Sequence, residues 1–355
     1  MRIIDRYIMR QVLLSVSMAA LALAGFDYFF NLVQELKVIG KGQYHLAEAF
    51  SYLLLTMPSR MYTLFPWAAL IGSLMSLGAL ANRSELVVMR TGGLSVFEIT
   101  GAAIKAAACL TIFMFVLGEG FGPQAEHFAQ ARRTWHLSGG QSMQTEAGLW
   151  IKQGLSFMHI QKIGSGGEVI GLTRYQFNQH YDLEEALFAG SARLVDQDWI
   201  LEAVQGTRFL GSKTESFAHA TQVMPALVDS DILEAAMVKH PERLSLLALW
   251  KMMRHQSQNQ LDDRAYALAF WLKIFQPLVI MMMVFLGAPC IFGPLRSVSM
   301  GSRLVAGLLI AFFFHTLNQI LAPIAIVYQF PPILAVLLPI VFLSALGFWA
   351  LYRLR

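Results

Sequence analysis

The sequence predicts an α-helical membrane protein with six transmembrane helices and an all-β domain inserted between helices 3 and 4. Its 355 residues are 56% hydrophobic and only 14% charged, whereas soluble domains average about one quarter charged. The apolar residues gather in six runs that can each cross a bilayer, for which roughly 20 residues are needed. A long polar insert with strand patterns separates the third run from the fourth.

The six predicted spans share a low content of charged residues and a length that suits a membrane helix. They cover residues 12–33, 61–81, 94–118, 265–292, 304–328 and 333–352, and the second helix can begin near Ala47. Ionisable groups inside a span either mark function or reach toward the interface. For Asp27 both explanations stay open, whereas Lys105 and Lys273 are expected to reach the interface. The predicted domains are residues 1–122 with helices 1–3, residues 123–262, and residues 263–355 with helices 4–6.

The orientation follows from the lysine and arginine residues of the short loops, which concentrate on the cytoplasmic side. Arg83 and Arg90 lie between spans 2 and 3, and the opposite side has Lys37 and Lys41 in its first short loop. Further arginines on the first side are Arg2, Arg6, Arg10, Arg296, Arg303, Arg353 and Arg355. We therefore expect a multi-pass inner-membrane protein with both termini in the cytoplasm and the insert in the periplasm.

Strand patterns fill the middle of the insert, at residues 155–160, 169–177, 187–194 and 199–204. Turn signals separate them, at residues 164–167, 178–179, 196–198 and 211–212. Short strands at this spacing are typical of a sandwich or an open barrel. Helical patterns at residues 123–136 and 244–255 flank the strands, and the first of these prolongs span 3.

The short polar segment between spans 2 and 3 has the pattern of a complete small helix. Asn82 can cap its first turn, and Glu85 follows three residues later as in a capping box. Gly92 and Gly93 supply a left-handed stop. The apolar side of this helix consists of Leu86, Val87 and Met89. A helix of this kind in a tight membrane turn indicates a surface that docks on another protein.

Several functions are disfavoured by what the sequence lacks. It has no G-x-x-x-x-G-K-[ST] segment for binding ATP and no H-E-x-x-H segment for binding zinc. The basic residues lie at helix ends and form no stripe, so nucleic acid is a poor partner despite the net charge of +4. Because paired catalytic carboxylates and metal clusters are also missing from the pattern, we expect no enzyme active site, no metal site and no cofactor on this chain.

Four cations near the outer ends of spans 1 and 3 form a second candidate site, namely Lys37, Lys41, Arg132 and Arg133. If the two helices are neighbours, these side chains form a ring above an apolar cavity. Such a ring suits a lipid with anionic head groups, because arginine binds phosphate through two hydrogen bonds and lysine acts as a point charge. Ordinary solvated loop charge is the alternative explanation, and the spacing alone does not exclude it.

Four segments carry a specific pattern. They are residues 82–90 after span 2, Gly118-Glu119 with Pro123-Gln124 at the end of span 3, residues 274–278 in span 4, and residues 291–297 with Met300-Gly301 before span 5. Together they resemble the LptF/LptG family, the membrane permeases of the ABC transporter that extracts lipopolysaccharide from the inner membrane. The match runs nearly end to end and is to the LptG branch. Three alternatives stay open. The chain could belong to the LptF branch, it could be a permease of another envelope lipid or lipoprotein exporter, or it could be a scaffold without transport activity.

The resemblance implies a jellyroll-like fold for the insert and a transport complex with several partners. These partners are an LptF-type permease, two copies of the ATPase LptB, and LptC, which joins through its own jellyroll and a single helix. ATP and magnesium would bind to LptB, and lipopolysaccharide would be the transported lipid. On this resemblance the chain hydrolyses nothing itself.

The resemblance also assigns roles to residues. The coupling helix of the family corresponds to residues 82–91, where the expected docking residues are Arg83, Ser84, Glu85, Leu86, Met89 and Arg90. The cations that hold lipid A phosphates correspond to Lys37, to Arg132 and Arg133 by position, and to Lys41 by a looser match. The apolar residues expected to line the lipid cavity are Phe26, Phe30, Leu64, Phe65, Phe313 and Leu317.

Overall fold

The computed structural model describes residues 3–137, 143–163, 168–195, 198–211, 213–225, 230–238, 240–292 and 299–353. The predicted turn at 164–167, parts of those at 196–198 and 211–212, and residues 293–298 lie outside the described residues, as do Arg2, Arg296 and Arg355. The chain divides into two compact units. The membrane unit consists of Met1–Lys37, Phe50–Ala129 and Ala267–Arg355, and the sheet unit consists of Val38–Ala49 and Gln130–Tyr266.

The helices are as follows, in chain order: α1 (Ile3–Glu35), α2 (Leu46–Asn82), α3 (Glu85–Thr91), α4 (Val96–Phe115), a π-helical turn (Val116–Phe121), α5 (Gly122–Leu137), α6 (Ser230–Met237), α7 (Leu246–Gln258), α8 (Arg264–Phe292), α9 (Met300–Val327) and α10 (Pro332–Tyr352). Among the described residues, six helical stretches are long and apolar enough to cross a membrane, which confirms the predicted number. The helix predicted from Ala47 begins at Leu46, and α5 prolongs the third span as expected.

Small residues let helices α1 and α8 approach α2 closely in the membrane unit. A Cβ atom on Gly72 of α2 would overlap the backbone of Val16 in α1. On α8, a Cβ atom on Gly287 would lie 2.8 Å from the Ser73 hydroxyl of α2. In lipid, helices associate through close packing of this kind, because the hydrocarbon tails provide little hydrophobic driving force between them. The packing of α1 and α8 on α2 therefore depends on glycines at the contacts.

The insert is an antiparallel sheet of six strands, β1 (Met143–Gln153), β2 (Ser156–Ile163), β3 (Val169–Phe177), β4 (Leu183–Val195), β5 (Asp198–Leu210) and β6 (Lys213–Pro225). Each strand pairs with the next along the chain. The prediction of an all-β insert is confirmed, and its strand order is that of a meander. One face buries an apolar cluster that includes Leu172, Leu187 and Trp199, as expected for an antiparallel sheet with one face toward a core.

Candidate docking helix and lipid-facing sites

The short helix between spans 2 and 3 exists as predicted, but it begins differently. Asn82 is the last residue of α2, and its side-chain oxygen accepts a hydrogen bond of 3.2 Å from Arg303. Ser84 occupies the N-cap in a left-handed conformation, with φ of 60°, and its side chain caps nothing. The predicted cap by Asn82 is therefore wrong, because a distant arginine takes the oxygen that would have capped the helix.

The end of α3 confirms a glycine stop, and it is Gly93 that supplies it, with φ of +91°. The amide of Leu94 donates to the carbonyl of Met89 at 3.1 Å, and the amide of Gly93 donates to that of Arg90 at 3.0 Å. This pair of bonds is the Schellman arrangement that satisfies the last carbonyls of a helix. Gly92 stays at negative φ, so only one of the two glycines needs the left-handed region.

A capping box does occur nearby, at the start of α4. The Ser95 hydroxyl accepts from the amide of Glu98 at 3.1 Å, and the Glu98 carboxylate accepts from the amide of Ser95 at 2.9 Å. Glu98 is thus part of a helix cap at the boundary of the span. Together, the Schellman turn of α3 and this box define the short connection between the end of α3 and the start of α4.

The two faces of α3 differ from the predicted arrangement. Leu86 is only 4% exposed and packs in the core of the membrane unit, with Met89 partly buried against the same core. Val87 and Val88 point outward instead, and Val88 is 69% exposed. Leu86 therefore anchors the helix and is not available for docking. The exposed residues of α3 are Val87, Val88, Arg90 and Thr91, and Arg83 and Ser84 just before it are also exposed.

Two contacts attach the first turns of α1 to this end of the bundle. The Tyr7 hydroxyl donates to the Glu85 carboxylate at 2.8 Å. The Lys105 ammonium of α4 lies 3.8 Å from the Asp5 carboxylate. Lys105 therefore has a partner on a neighbouring helix, which sequence analysis did not anticipate. Because Glu85 begins α3, this hydrogen bond links the start of α3 to the first turns of α1.

The four predicted phosphate-binding cations divide between the two units. Lys37 is exposed just after α1 in the membrane unit, whereas Lys41, Arg132 and Arg133 belong to the sheet unit. Within the sheet unit, the Arg133 guanidinium lies 6.0 Å from the ring centre of buried Tyr44. A hydrogen bond of 2.8 Å joins the same loop to the end of α5. The loop that carries Lys41 is thereby attached to the helix that carries the two arginines.

Arg60 is a further cation, not predicted from the sequence, which lies on α2 opposite α1. Its guanidinium lies 3.5 Å from the Asp27 carboxylate and donates to the Thr56 hydroxyl at 3.3 Å. The Asn31 side chain donates to the backbone carbonyl of Asp27 at 2.7 Å. Asp27 is therefore an ion-pair partner on α1. A cation one residue before the predicted start of span 2 was the signal that could have identified this pair.

The six predicted cavity residues have different surroundings. Phe26 and Phe30 on α1 and Phe313 on α9 are exposed on the membrane unit, as a lipid-facing surface requires. Leu64 lines the cleft between α1 and α2, and Leu317 is partly buried. Phe65 is only 3% exposed and packs in the core. Its assignment to the lipid cavity is therefore wrong for this structure, because the side chain points into the helix bundle.

Lys273 also differs from expectation. Its ammonium does not reach the interface alone but lies 2.6 Å from the Glu119 carboxylate, in a largely buried ion pair. A paired charge is the arrangement that the apolar interior favours, because an unpaired one costs several kcal/mol there. Glu119 belongs to the π-helical turn at the end of α4.

In the described part of the chain, six helices able to cross a membrane, an exposed short helix between two of them and an inserted β-sheet define a polytopic membrane protein. The family described as "Lipopolysaccharide export system permease LptF/LptG" matches residues 6–353, so the chain belongs to this family. It is 33% identical over 359 residues to the lipopolysaccharide export system permease protein LptG of Escherichia coli strain K12, with 99% of this chain and 98% of the relative covered. It is 32% identical over 354 residues to the protein of the same name from Haemophilus influenzae, with 99% of each covered.

Proposed function

We propose that this chain is the LptG-type permease subunit of an ABC transporter that extracts lipopolysaccharide from the inner membrane and passes it toward the outer membrane. The observation that carries the proposal is α3, an exposed helix that ends in a Schellman turn, in a chain that matches its family over residues 6–353. The partners would be an LptF-type permease, two LptB ATPases and LptC. ATP hydrolysis takes place on LptB, and this chain supplies no catalytic residue.

The orientation follows from where the described arginines lie. Arg83 lies just before α3 and Arg90 lies in its last turn, and Arg10 and Arg353 lie near the two ends of the chain. The positive-inside rule assigns this end of the bundle to the cytoplasm. Both termini and α3 are then cytoplasmic, where an ATPase can reach α3, and the sheet unit is periplasmic.

In the proposed mechanism, lipopolysaccharide enters a cavity between the two permeases from the outer leaflet. Its acyl chains lie against exposed apolar residues such as Phe26, Phe30 and Phe313. Its phosphates meet Lys37, and Arg60 is a further cation in reach of the cleft between α1 and α2. Arg132, Arg133 and Lys41 remain predicted ligands from the resemblance. The exchange of Asp27 for a lipid phosphate would keep the Arg60 charge partnered throughout.

The force comes from the ATPase. ATP binding closes the LptB pair, α3 moves with the groove in which it lies, and the cavity narrows. The lipid is expelled toward the sheet, whose apolar side can shelter acyl chains. The Tyr7–Glu85 hydrogen bond supports this route, because it connects α3 to the helix that carries Phe26 and Phe30.

The proposal predicts that the chain purifies with a nucleotide hydrolase and a second permease. In liposomes that contain lipopolysaccharide, the complex should transfer the lipid to a soluble acceptor only when ATP is present. A preparation with no associated hydrolase would indicate a scaffold. Transfer of another envelope lipid or of a lipoprotein, with lipopolysaccharide left in place, would indicate an exporter with a different substrate.

Lys37→Glu should reduce photocrosslinking of lipopolysaccharide to the complex and reduce lipid-stimulated ATPase activity. The reason is that the change replaces an attraction for phosphate by a repulsion. Lys213→Glu is the matched control, because it makes the same charge change at the start of β6. Equal crosslinking in the Lys37 variant and the control would mean that Lys37 is an ordinary loop charge that does not bind the lipid.

A further inference from the structure

A largely buried ion pair between Glu119 and Lys273 lies far from α3, at the opposite end of the membrane helices. Glu119 is 9% exposed and Lys273 is 13% exposed, and their charged atoms lie 2.6 Å apart. Glu119 follows the N-cap of α4 by about 24 residues, and Lys273 precedes the end of α8 by about 19 residues. At about 1.5 Å per residue, these correspond to heights of roughly 36 and 29 Å. The pair thus lies near the far boundary of a hydrocarbon core of about 30 Å.

Three helices meet at this ion pair. A Cβ atom on Gly118 would lie 2.5 Å from the ring of Tyr62, so glycine is what lets α2 approach the π-helical turn. The Tyr62 hydroxyl donates to the carbonyl of Lys273 at 3.5 Å, and the Gln276 amide donates to the carbonyl of Tyr62 at 3.3 Å. The junction therefore joins α2, the turn that follows α4, and α8.

Glu119 pairs with Lys273 of α8 from within the π-helical turn. A π-turn inserts one residue into a helix and shifts the face that the following side chains occupy, and such turns occur frequently at functional sites. The turn covers Val116–Phe121, with Glu119 inside it. The pair with Lys273 is therefore made from within an irregular turn of the third span. We treat the π-helical turn and the ion pair as one structural device.

Stability alone does not require this device. An apolar pair of similar volume is often as stable as a buried ion pair, or more stable. What an ion pair adds is a connection that is specific in position and direction. The connection joins α2 and the turn after α4, which come from the first three spans, to α8, which begins the last three. Because α3 connects α2 to α4, a movement of α3 reaches the junction along both helices.

We propose that Glu119 and Lys273 are positioning residues whose ion pair carries the displacement of α3 to α8. The pair makes the helices on either side of the insert move together during lipid expulsion. This inference rests on the proposed function, because it needs α3 to be the element that the ATPase moves. The pair touches no transported lipid.

The test is a complex in which Glu119→Leu and Lys273→Met are combined. The apolar pair removes both charges together, so it leaves no unpaired charge in the core. We expect the complex to assemble with an unchanged thermal midpoint and to hydrolyse ATP. The amount of lipopolysaccharide exported per ATP hydrolysed should fall roughly fivefold, in the range known for changes in coupling between sites. Glu119→Lys with Lys273→Glu, which restores a pair, should recover most of that ratio.

Arg193→Met on β4 is the control. It removes ion pairs with Glu168 and Glu202 in which every side chain is exposed, and exposed pairs contribute little, so the export ratio should not change. A wild-type ratio in the apolar double variant would overturn the inference. If the apolar variant does not assemble, Glu119→Asp decides, because the shorter side chain lengthens the pair; an unchanged ratio there also overturns it. Normal export by Glu85→Lys in the same assay would instead overturn the proposed function.

Discussion

Glu85→Lys should abolish lipopolysaccharide export. Glu85 is the first residue of α3, and its side chain remains partly exposed beside Arg83. The substitution removes the acceptor of the Tyr7 hydrogen bond and places a third positive charge at this turn, next to Arg83 and near Arg90. Against a basic groove on an ATPase, a like charge costs several kcal/mol. The measurements are copurification with the ATPase and export in liposomes.

Two further variants separate docking from internal support. Tyr7→Phe removes the hydrogen bond within the chain but keeps the Glu85 charge, so we expect ATPase binding to persist and export to fall only in part. Glu184→Lys makes the same charge reversal on β4, at an exposed position of the sheet unit, and should leave export unchanged. Normal export and normal ATPase activity in Glu85→Lys would show that this carboxylate does not dock.

The existence of α3 was predictable because its signals are local. A polar segment between two apolar runs and a glycine at its end are enough to indicate a short helix. The cap was not predictable, since the oxygen of Asn82 is taken by Arg303, a residue 221 positions away. The faces were not predictable either. Seven residues make only two turns, and which side packs inward depends on helices elsewhere in the chain.

The partners of charged residues in the spans could not be predicted from the sequence either. Asp27 and Lys273 were recognised as unusual from the sequence, but whether each reaches the interface or finds a partner depends on contacts between helices. Their partners, Arg60 and Glu119, lie 33 and 154 positions away in the chain. Lipid-facing residues have a related difficulty, because every face of a membrane span is apolar. Phe65 is buried and Phe313 is exposed, although both are phenylalanines within spans.

The strands were predicted where burial imposes a pattern. β3 begins and ends as expected, at Val169 and Phe177, and its buried side chains Val169 and Leu172 are apolar. β6 was missed since nearly all its described side chains are exposed, and Met224 alone among them is buried. An edge strand of this kind is held by its backbone hydrogen bonds to β5. Such bonds do not depend on side-chain type, so the sequence does not reveal them.

Gly72→Val should separate α1 from α2 and lower the stability of the membrane unit. The Cβ atom would overlap the Cα of Val16 and lie 2.6 Å from its backbone nitrogen. Because the obstacle is backbone, no change of rotamer can relieve the overlap, and the two helices must move apart. Overpacking of a core costs about 1–3 kcal/mol, occasionally more, and we expect a value at the upper end. The thermal midpoint of the purified complex measures it.

Gly101→Val is the matched control, because a Cβ atom at Gly101 in α4 would meet no atom within 4 Å. This variant adds the same side chain to a membrane helix without a clash, so its thermal midpoint should stay near that of the wild type. Export should fall in the Gly72 variant as well, since α1 carries Tyr7, which contacts α3, and Asp27, which pairs with Arg60. Equal losses of stability in the two variants would mean that the valine side chain itself, and not the contact between α1 and α2, is responsible.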